Sequence, residues 1–250
     1  MTTAGSRIAV IGKAAQVLDA LLASPRGATP TELAASLDLN RSTAFRLLVS
    51  LEHAGLVDQD PATSRYRLGL RLLVLGDAVR DRLDIVRVAE PVVRELRDEV
   101  RQTVYLALRD GWGAVCVHRL PGPDVDVLAW RTGQWLPFHQ GAGPRALLAA
   151  LPDEELETYL ALDEERPTRH GALTTADIRA LVRETRERGW SLNPEDLTDG
   201  VSSLGFAVRR SVCAISVAGL SQAYQGKRLD DLASAVERAA TRLGALLAGH

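Results

Sequence analysis

The chain has 250 residues, enough for two modest domains that each bury a core without disulfides or metals, and its composition is ordinary for a globular protein, with 46% hydrophobic and 25% charged residues. No apolar run approaches the roughly 20 residues a bilayer span needs, and the first twelve residues lack the order of a signal peptide, so a cytoplasmic protein without a membrane partner is expected. The net charge of −2 argues against a uniformly basic nucleic-acid binder, but it is uneven: residues 1–80 carry +2 and the remainder −4.

Apolar residues between Arg7 and Ala23 recur as Val10, Ala14, Val17, Leu18, Leu21 and Leu22, the spacing of a helix with one buried face, which Ser24-Pro25-Arg26-Gly27 stops. A second helix starts at Thr29-Pro30-Thr31-Glu32. Thr29 caps it, Pro30 suits its first position, and Glu32 reaches back to complete a capping box. It turns inward Leu33, Ala34 and Leu37 and ends in a turn at Asp38-Leu39-Asn40. A third helix, about Arg41 to His53, has Ala44, Leu47, Leu48 and Leu51 on its inner face and leaves Arg41, Ser42, Thr43 and Arg46 outward.

Gly55 closes that helix. A strand at Leu56-Val57-Asp58 then turns into Arg65-Tyr66-Arg67-Leu68, with Tyr66 and Leu68 inward and Arg65 beside Thr63 and Ser64 at the tip of a wing. Helix, capped short helix, helix and hairpin, with arginines on the two exposed elements, is the pattern of a winged helix-turn-helix whose third helix enters a major groove. A helical core used only for protein docking is the competing reading.

The residues Thr31-Glu32-Leu33-Ala34, Arg41 through Leu48 with Leu51, Gly55 and Leu56, and Tyr66-Arg67-Leu68-Gly69 before Leu72 and Gly76 resemble the IclR family of regulators. The resemblance implies double-stranded DNA as partner, a recognition surface at Ser42, Thr43 and Arg46, and a wing contact at Arg65. Thr31 and Arg41 complete the candidate DNA-binding set.

From Leu70 to about Val100 the pattern stays helical, broken near Leu83-Asp84-Ile85, with Pro91 in a first turn or at a bend. Beyond Arg101 the period becomes two. Strands are expected at Thr103 to Leu108, Ala114 to Arg119, Val125 to Trp130, Ser202 to Val208 and Val212 to Val217, and helices at Arg145 to Ala150, Pro152 to Leu162, Thr175 to Arg188 and Leu229 to Leu247. The expected class is α+β: a winged helix-turn-helix over residues 1–70, a linker helix over 71–83, and a GAF-like antiparallel sheet flanked by helices over 84–250.

The second half resembles the same family at Leu136-Pro137-Phe138-His139 with Ala146 to Ala149, at Arg188-Gly189-Trp190, and at Ala214 to Gly219. That implies an effector pocket at Ala142, Gly143, Asn193, Ser203, Ser216 and Ala218, with Trp112 or Trp130 as a wall and His139 at the rim. His139 also reads as a structural histidine. The chain departs from the family at Gly141-Ala142-Gly143-Pro144-Arg145, where Thr-Ala-x-Gly-Lys is usual, at Asn193 to Asp196, and at Ser203, where cysteine is common. Amide, hydroxyl and methyl groups suit a neutral or weakly acidic, partly aromatic compound better than a small dicarboxylate.

Enzyme chemistry finds little footing. Gly141 to Ala146 fits G-x-G-x-x-A but follows a loop and lacks the acidic residue about 20 positions on. G-x-S-x-G and H-E-x-x-H are missing, His53, His118, His139, His170 and His250 have no metal spacing, and Cys116 and Cys213 stand alone. No cofactor is expected, and a small hydrolase or transferase built on the second domain is the weaker alternative. The resemblance further implies self-association as a dimer or dimer of dimers, with the repressor as the expected sign of control.

Overall fold

A computed structural model describes residues 9–81, 84–162 and 165–248. The chain divides into an N-terminal unit, residues 1–82, and a C-terminal unit, residues 83–250.

The N-terminal unit is built from α1 (Ala9–Leu22), α2 (Pro30–Ser36), α3 (Arg41–His53), a hairpin of β1 (Val57–Gln59) and β2 (Tyr66–Leu68), and α4 (Arg71–Asp81). Its core is Val17 and Leu21 of α1, Leu33 of α2, Leu47, Leu48 and Leu51 of α3, and Val57 and Tyr66 of the hairpin. These are the residues that helical and alternating spacing turn inward. Both bonds of the capping box at α2 form: the Thr29 N–H donates to Glu32 Oε2 at 2.8 Å, and the Glu32 N–H to Thr29 Oγ1 at 3.3 Å. Asn40 caps α3 by accepting from the Thr43 N–H at 2.8 Å. Gly27 lies at φ +73°, where a Cβ would come within 2.6 Å of the Tyr66 carbonyl, so glycine lets Ala28 exchange backbone hydrogen bonds with Tyr66 and add a bridge to the wing.

The C-terminal unit holds one six-stranded antiparallel sheet. Its strands are β3 (Thr103–Asp110), β4 (Gly113–Leu120), β5 (Trp135–Pro137), β8 (Ser191–Pro194), β9 (Val201–Ala207) and β10 (Cys213–Leu220), in the order β5-β4-β3-β10-β9-β8. A short hairpin, β6 (Pro167–Thr168) with β7 (Gly171–Ala172), stands apart from it. Helices α5 (Asp84–Val100) and α9 (Gly226–Ala248) cover one face; α6 (Ala142–Ala149), α7 (Asp153–Leu160) and α8 (Thr175–Arg188) lie on the other.

Because both faces are covered, the central strands bury both side-chain sets. Val104, Leu106, Leu204, Phe206, Ile215 and Val217 join the α5–α9 core, while Tyr105, Ala107, Ala214 and Ala218 join the α6–α8 core. An α+β class with an antiparallel sheet between helices is therefore what the chain adopts.

Several expectations need correction. Residues 125–130 form no strand. Some of their backbone groups are taken by side chains instead: Thr103 Oγ1 accepts from the Val127 N–H and donates to the Val125 carbonyl, and Tyr105 and Arg119 donate to the Val127 carbonyl. The place beside β4 goes to β5, pairing Gly113 with Pro137. Strand β8 was not anticipated, and α6 begins at Ala142, before Arg145. Pro91 lies inside α5 on its exposed side, so the helix runs through it. The expected break at Leu83-Asp84-Ile85 falls partly outside the described residues.

Candidate nucleic-acid interface and ligand cavity

In α3 the buried set Ala44, Leu47, Leu48 and Leu51 fixes the helix against α1 and α2. A helix anchored along one stripe presents the opposite one, and here it carries Ser42 and Arg46, both exposed, with Arg41 exposed in the first turn. Thr43 is half-buried and borders a shallow groove toward α1 with Lys13, Arg46 and Ser50. No ion pair among the described residues involves Arg41 or Arg46. Ser42 Oγ donates to Asn40 Oδ1 at 2.8 Å, which ties its hydroxyl proton to the cap. Thr31 is exposed in the first turn of α2.

Arg65 does not stand free at the wing tip. Its Nη2 donates to both carboxylate oxygens of Glu32, at 2.9 and 2.8 Å, and its Nε to the Gly27 carbonyl at 3.1 Å. The carboxylate that closes the α2 capping box thus also neutralises the arginine, and the Thr29 N–H with Arg65 holds the Glu32 carboxyl below the usual carboxylate range.

In the C-terminal unit a narrow cavity of about 20 Å³, room for about one water, lies between the start of α6 and the sheet. Strand register explains which side chains meet there. Ser203 of β9 pairs with Ala218 of β10, and Ser216 is flanked by Tyr105 on β3 and Gly205 on β9. A Cβ on Gly205 would fall 2.7 Å from the Ala142 carbonyl and 2.9 Å from the Gly143 nitrogen, so glycine allows α6 to sit directly on the strand.

Ala142, Gly143, Asn193, Ser203, Ser216, Ala218 and Trp130 all line this cavity. Tyr105, Ala129, Gly141, Leu197 and Val201 complete it. Trp130 is fixed by its Nε1–H to the Gln134 carbonyl at 2.9 Å, with its ring 6.0 Å from that of Tyr105.

Two expected members lie elsewhere. Trp112 packs beside Tyr159, ring centroids 5.8 Å apart, with Arg109 over its face. His139 is buried, its Nδ1 3.2 Å from the Tyr159 hydroxyl and its Nε2 3.2 Å from the Pro167 carbonyl. Burial lowers its pKa against the opposing pull of the Pro167 carbonyl, the behaviour of a structural histidine.

Behind the cavity Arg145 is buried with its partners. Its Nε donates to the His139 carbonyl at 2.9 Å, Nη1 to Asn193 Oδ1 at 3.3 Å and Nη2 to Asp196 Oδ2 at 3.1 Å. Because guanidinium offers only donors, the Asn193 oxygen must face it, which leaves the NH2 group for the cavity. Ser216 is 3% exposed and lines the cavity with its Oγ beside Gly143. The polar lining is therefore rich in donors: the Ala142 and Gly143 amides in the first turn of α6, the Asn193 NH2 and two serine hydroxyls. No charged side chain lines it.

No group of three or more candidate metal ligands occurs among the described residues. Both cysteines are buried, and burial pushes the Cys116 thiol up to about 12 and that of Cys213 up to about 11.

A winged helix-turn-helix followed by an α+β unit with an internal cavity defines a class, the DNA-binding regulators of transcription. Residues 10–61 match the IclR helix-turn-helix domain, and residues 77–245 match the bacterial transcriptional regulator IclR C-terminal family. The chain belongs to the IclR family of transcriptional regulators, which are not enzymes. It is 32% identical over 222 residues to the HTH-type transcriptional regulator KipR of Bacillus subtilis, covering 86% of this chain and 88% of KipR. It is 30% identical over 215 residues to the HTH-type transcriptional repressor AllR of Escherichia coli, covering 82% and 78%. An IclR homolog from Microbacterium hydrocarbonoxydans, solved in complex with 4-hydroxybenzoate, shares the fold with a TM-score of 0.74 at 20% identity, over 96% of this chain and 100% of that one.

Proposed function

We propose that this regulator is a repressor that binds a pseudopalindromic operator as a dimer and answers to a small aromatic monocarboxylate or a similar acceptor-bearing aromatic compound. On this reading the N-terminal unit is the DNA-binding domain, α4 the linker helix and the C-terminal unit the effector domain. The ligand-binding set is Ala142, Gly143, Asn193, Ser203, Ser216, Ala218 and Trp130; the DNA-contacting set is Thr31, Arg41, Ser42, Thr43 and Arg46.

The observation that carries the ligand reading is the donor-rich, uncharged lining, in which Ser203, Ser216 and Asn193 meet the first-turn amides of α6. Donors at one end, with Trp130, Tyr105, Leu197 and Val201 around the rest, call for an acceptor on a flat apolar body, which the narrow cavity must widen to admit. Without a lining cation, a second carboxylate would lack a counter-charge. The 4-hydroxybenzoate held by the Microbacterium homolog has this chemistry.

Dimerisation is supported by apolar side chains that remain exposed in the N-terminal unit: Leu73, Val74, Leu75 and Val79 of α4, and Val10 and Ile11 of α1. A second copy covering them would bring two α3 helices to successive half-sites, one turn of DNA, about 34 Å, apart or a multiple of it. The sign of control follows AllR, a repressor.

Thermal unfolding of the full chain with benzoate, 4-hydroxybenzoate or succinate tests the ligand class. At about 100 times Kd a specific binder adds roughly 2.7 kcal/mol. The aromatic acids should raise the midpoint, succinate should not, and Ser216→Ala should shrink the shift. A shift with succinate alone would reverse the assignment.

A further inference from the structure

The outward stripe of α3 is not purely polar. Phe45 is 51% exposed and Val49, one turn on, is 44% exposed, and neither belongs to the core of the unit. At 100° per residue Val49 falls about 20° from Ser42, between Phe45 and Arg46, while Phe45 lies on the flank of that outward face, about 60° from Ser42 and from Leu48. Exposed aromatic surface on a helix costs solubility without return unless something covers it. Arg41 and Arg46 border the pair and form no ion pair among the described residues, so the covering surface is one that also supplies negative charge. In a major groove the apolar group available at that depth is the C5-methyl of thymine, and phosphates flank it.

We propose that Phe45, with Val49 behind it, reads thymine methyl groups, making it a specificity-determining residue of this regulator alongside the arginines. The proposal rests on α3 being the reading helix. It further states that part of the sequence preference is apolar and does not come from hydrogen bonds. A second protein copy is the rival occupant, and it would leave the pair indifferent to DNA methyls.

Duplexes selected from a randomised pool by the full-length wild type supply the probe. Each thymine is then replaced in turn by deoxyuridine, which removes one methyl and keeps every hydrogen-bonding group. Burying one methyl is worth a factor of about four in affinity, so one or two positions per half-site should weaken by about fourfold. Phe45→Ala should bind the thymine and uracil duplexes alike, Phe45→Leu should keep part of the ratio, and both should retain the wild-type oligomeric state by light scattering. Equal wild-type affinity for all substituted duplexes would overturn the proposal, as would an undiminished ratio in Phe45→Ala. Dissociation of the oligomer by Phe45→Ala would assign the residue to a subunit contact. Failure of the wild type to select any duplex would instead refute α3 as the reading helix.

Discussion

At the scale of single residues, buried polar groups distinguish scaffold from site. His139 keeps both ring nitrogens near partners and its pKa is lowered by burial, whereas Ser216, as little exposed, lines the cavity beside Gly143. The histidine has a pH signature. Its folded pKa lies below the ordinary 6.5, so below about pH 6.5 the unfolded chain binds a proton that the folded chain refuses. Stability present above that value is therefore lost as the pH falls. His139→Gln, which offers amide groups to Tyr159 and Pro167, should flatten the decline in melting temperature between pH 7 and 5. An unchanged slope would remove the histidine from the account. Sequence carries little of this, since the partners of His139 lie 20 and 28 residues away, and the lock of Arg145 on Asn193 spans 48. What is legible is the oddity itself, Pro144-Arg145 where the family has Gly-Lys. Likewise Arg65 is visible as a wing arginine, but its capture by Glu32, 33 residues earlier, appears only in three dimensions.

Elements are more legible than their partners. Local chemistry sets the helices: the capping box at Thr29, the turn at Gly55 and the amphipathic stripe of α8, whose bounds Thr175–Arg188 agree with its periodicity. Strands depend on what lies beside them. The alternating run 125–130 has the right residues, yet Thr103, Tyr105 and Arg119 satisfy its backbone before a neighbour does, while the plain tripeptide Trp135–Pro137 becomes β5 because Gly113 to Val115 are there to pair with it. The close seat of α6 on β9 is one such partnership, and it hangs on a missing side chain. Gly205→Ala would place a methyl against the Ala142 carbonyl, so α6 or the strand must shift, at a cost of about 1–3 kcal/mol. Thermal unfolding should show a midpoint several degrees lower, with ligand response weakened more than stability because the cavity lies along that contact. A variant as stable as the wild type would mean that α6 rides higher than described.

For the whole molecule, two units with separate cores would carry the two tasks proposed above. The cavity positions inferred from sequence converge, apart from Trp112 and His139, because β9 and β10 pair in the register that sets Ser203 beside Ala218 and places Ser216 under the start of α6. A ligand alters operator affinity only through a difference in its affinity for two arrangements of the protein, typically worth about 1–3 kcal/mol. The apolar residues on α1 and α4 are where a second copy would join, and two reading helices supply the base contacts that one cannot.

All of this depends on the arginine-bearing side of α3 meeting DNA. The most direct measurement is fluorescence anisotropy of a selected duplex titrated with wild-type protein and with Arg46→Ala across a series of salt concentrations. The account predicts wild-type affinity that falls steeply with salt, and a loss in the variant of about 1–3 kcal/mol, roughly 5- to 150-fold, with relaxed preference at one base pair. Equal affinity of the two proteins, or binding indifferent to salt, would contradict it.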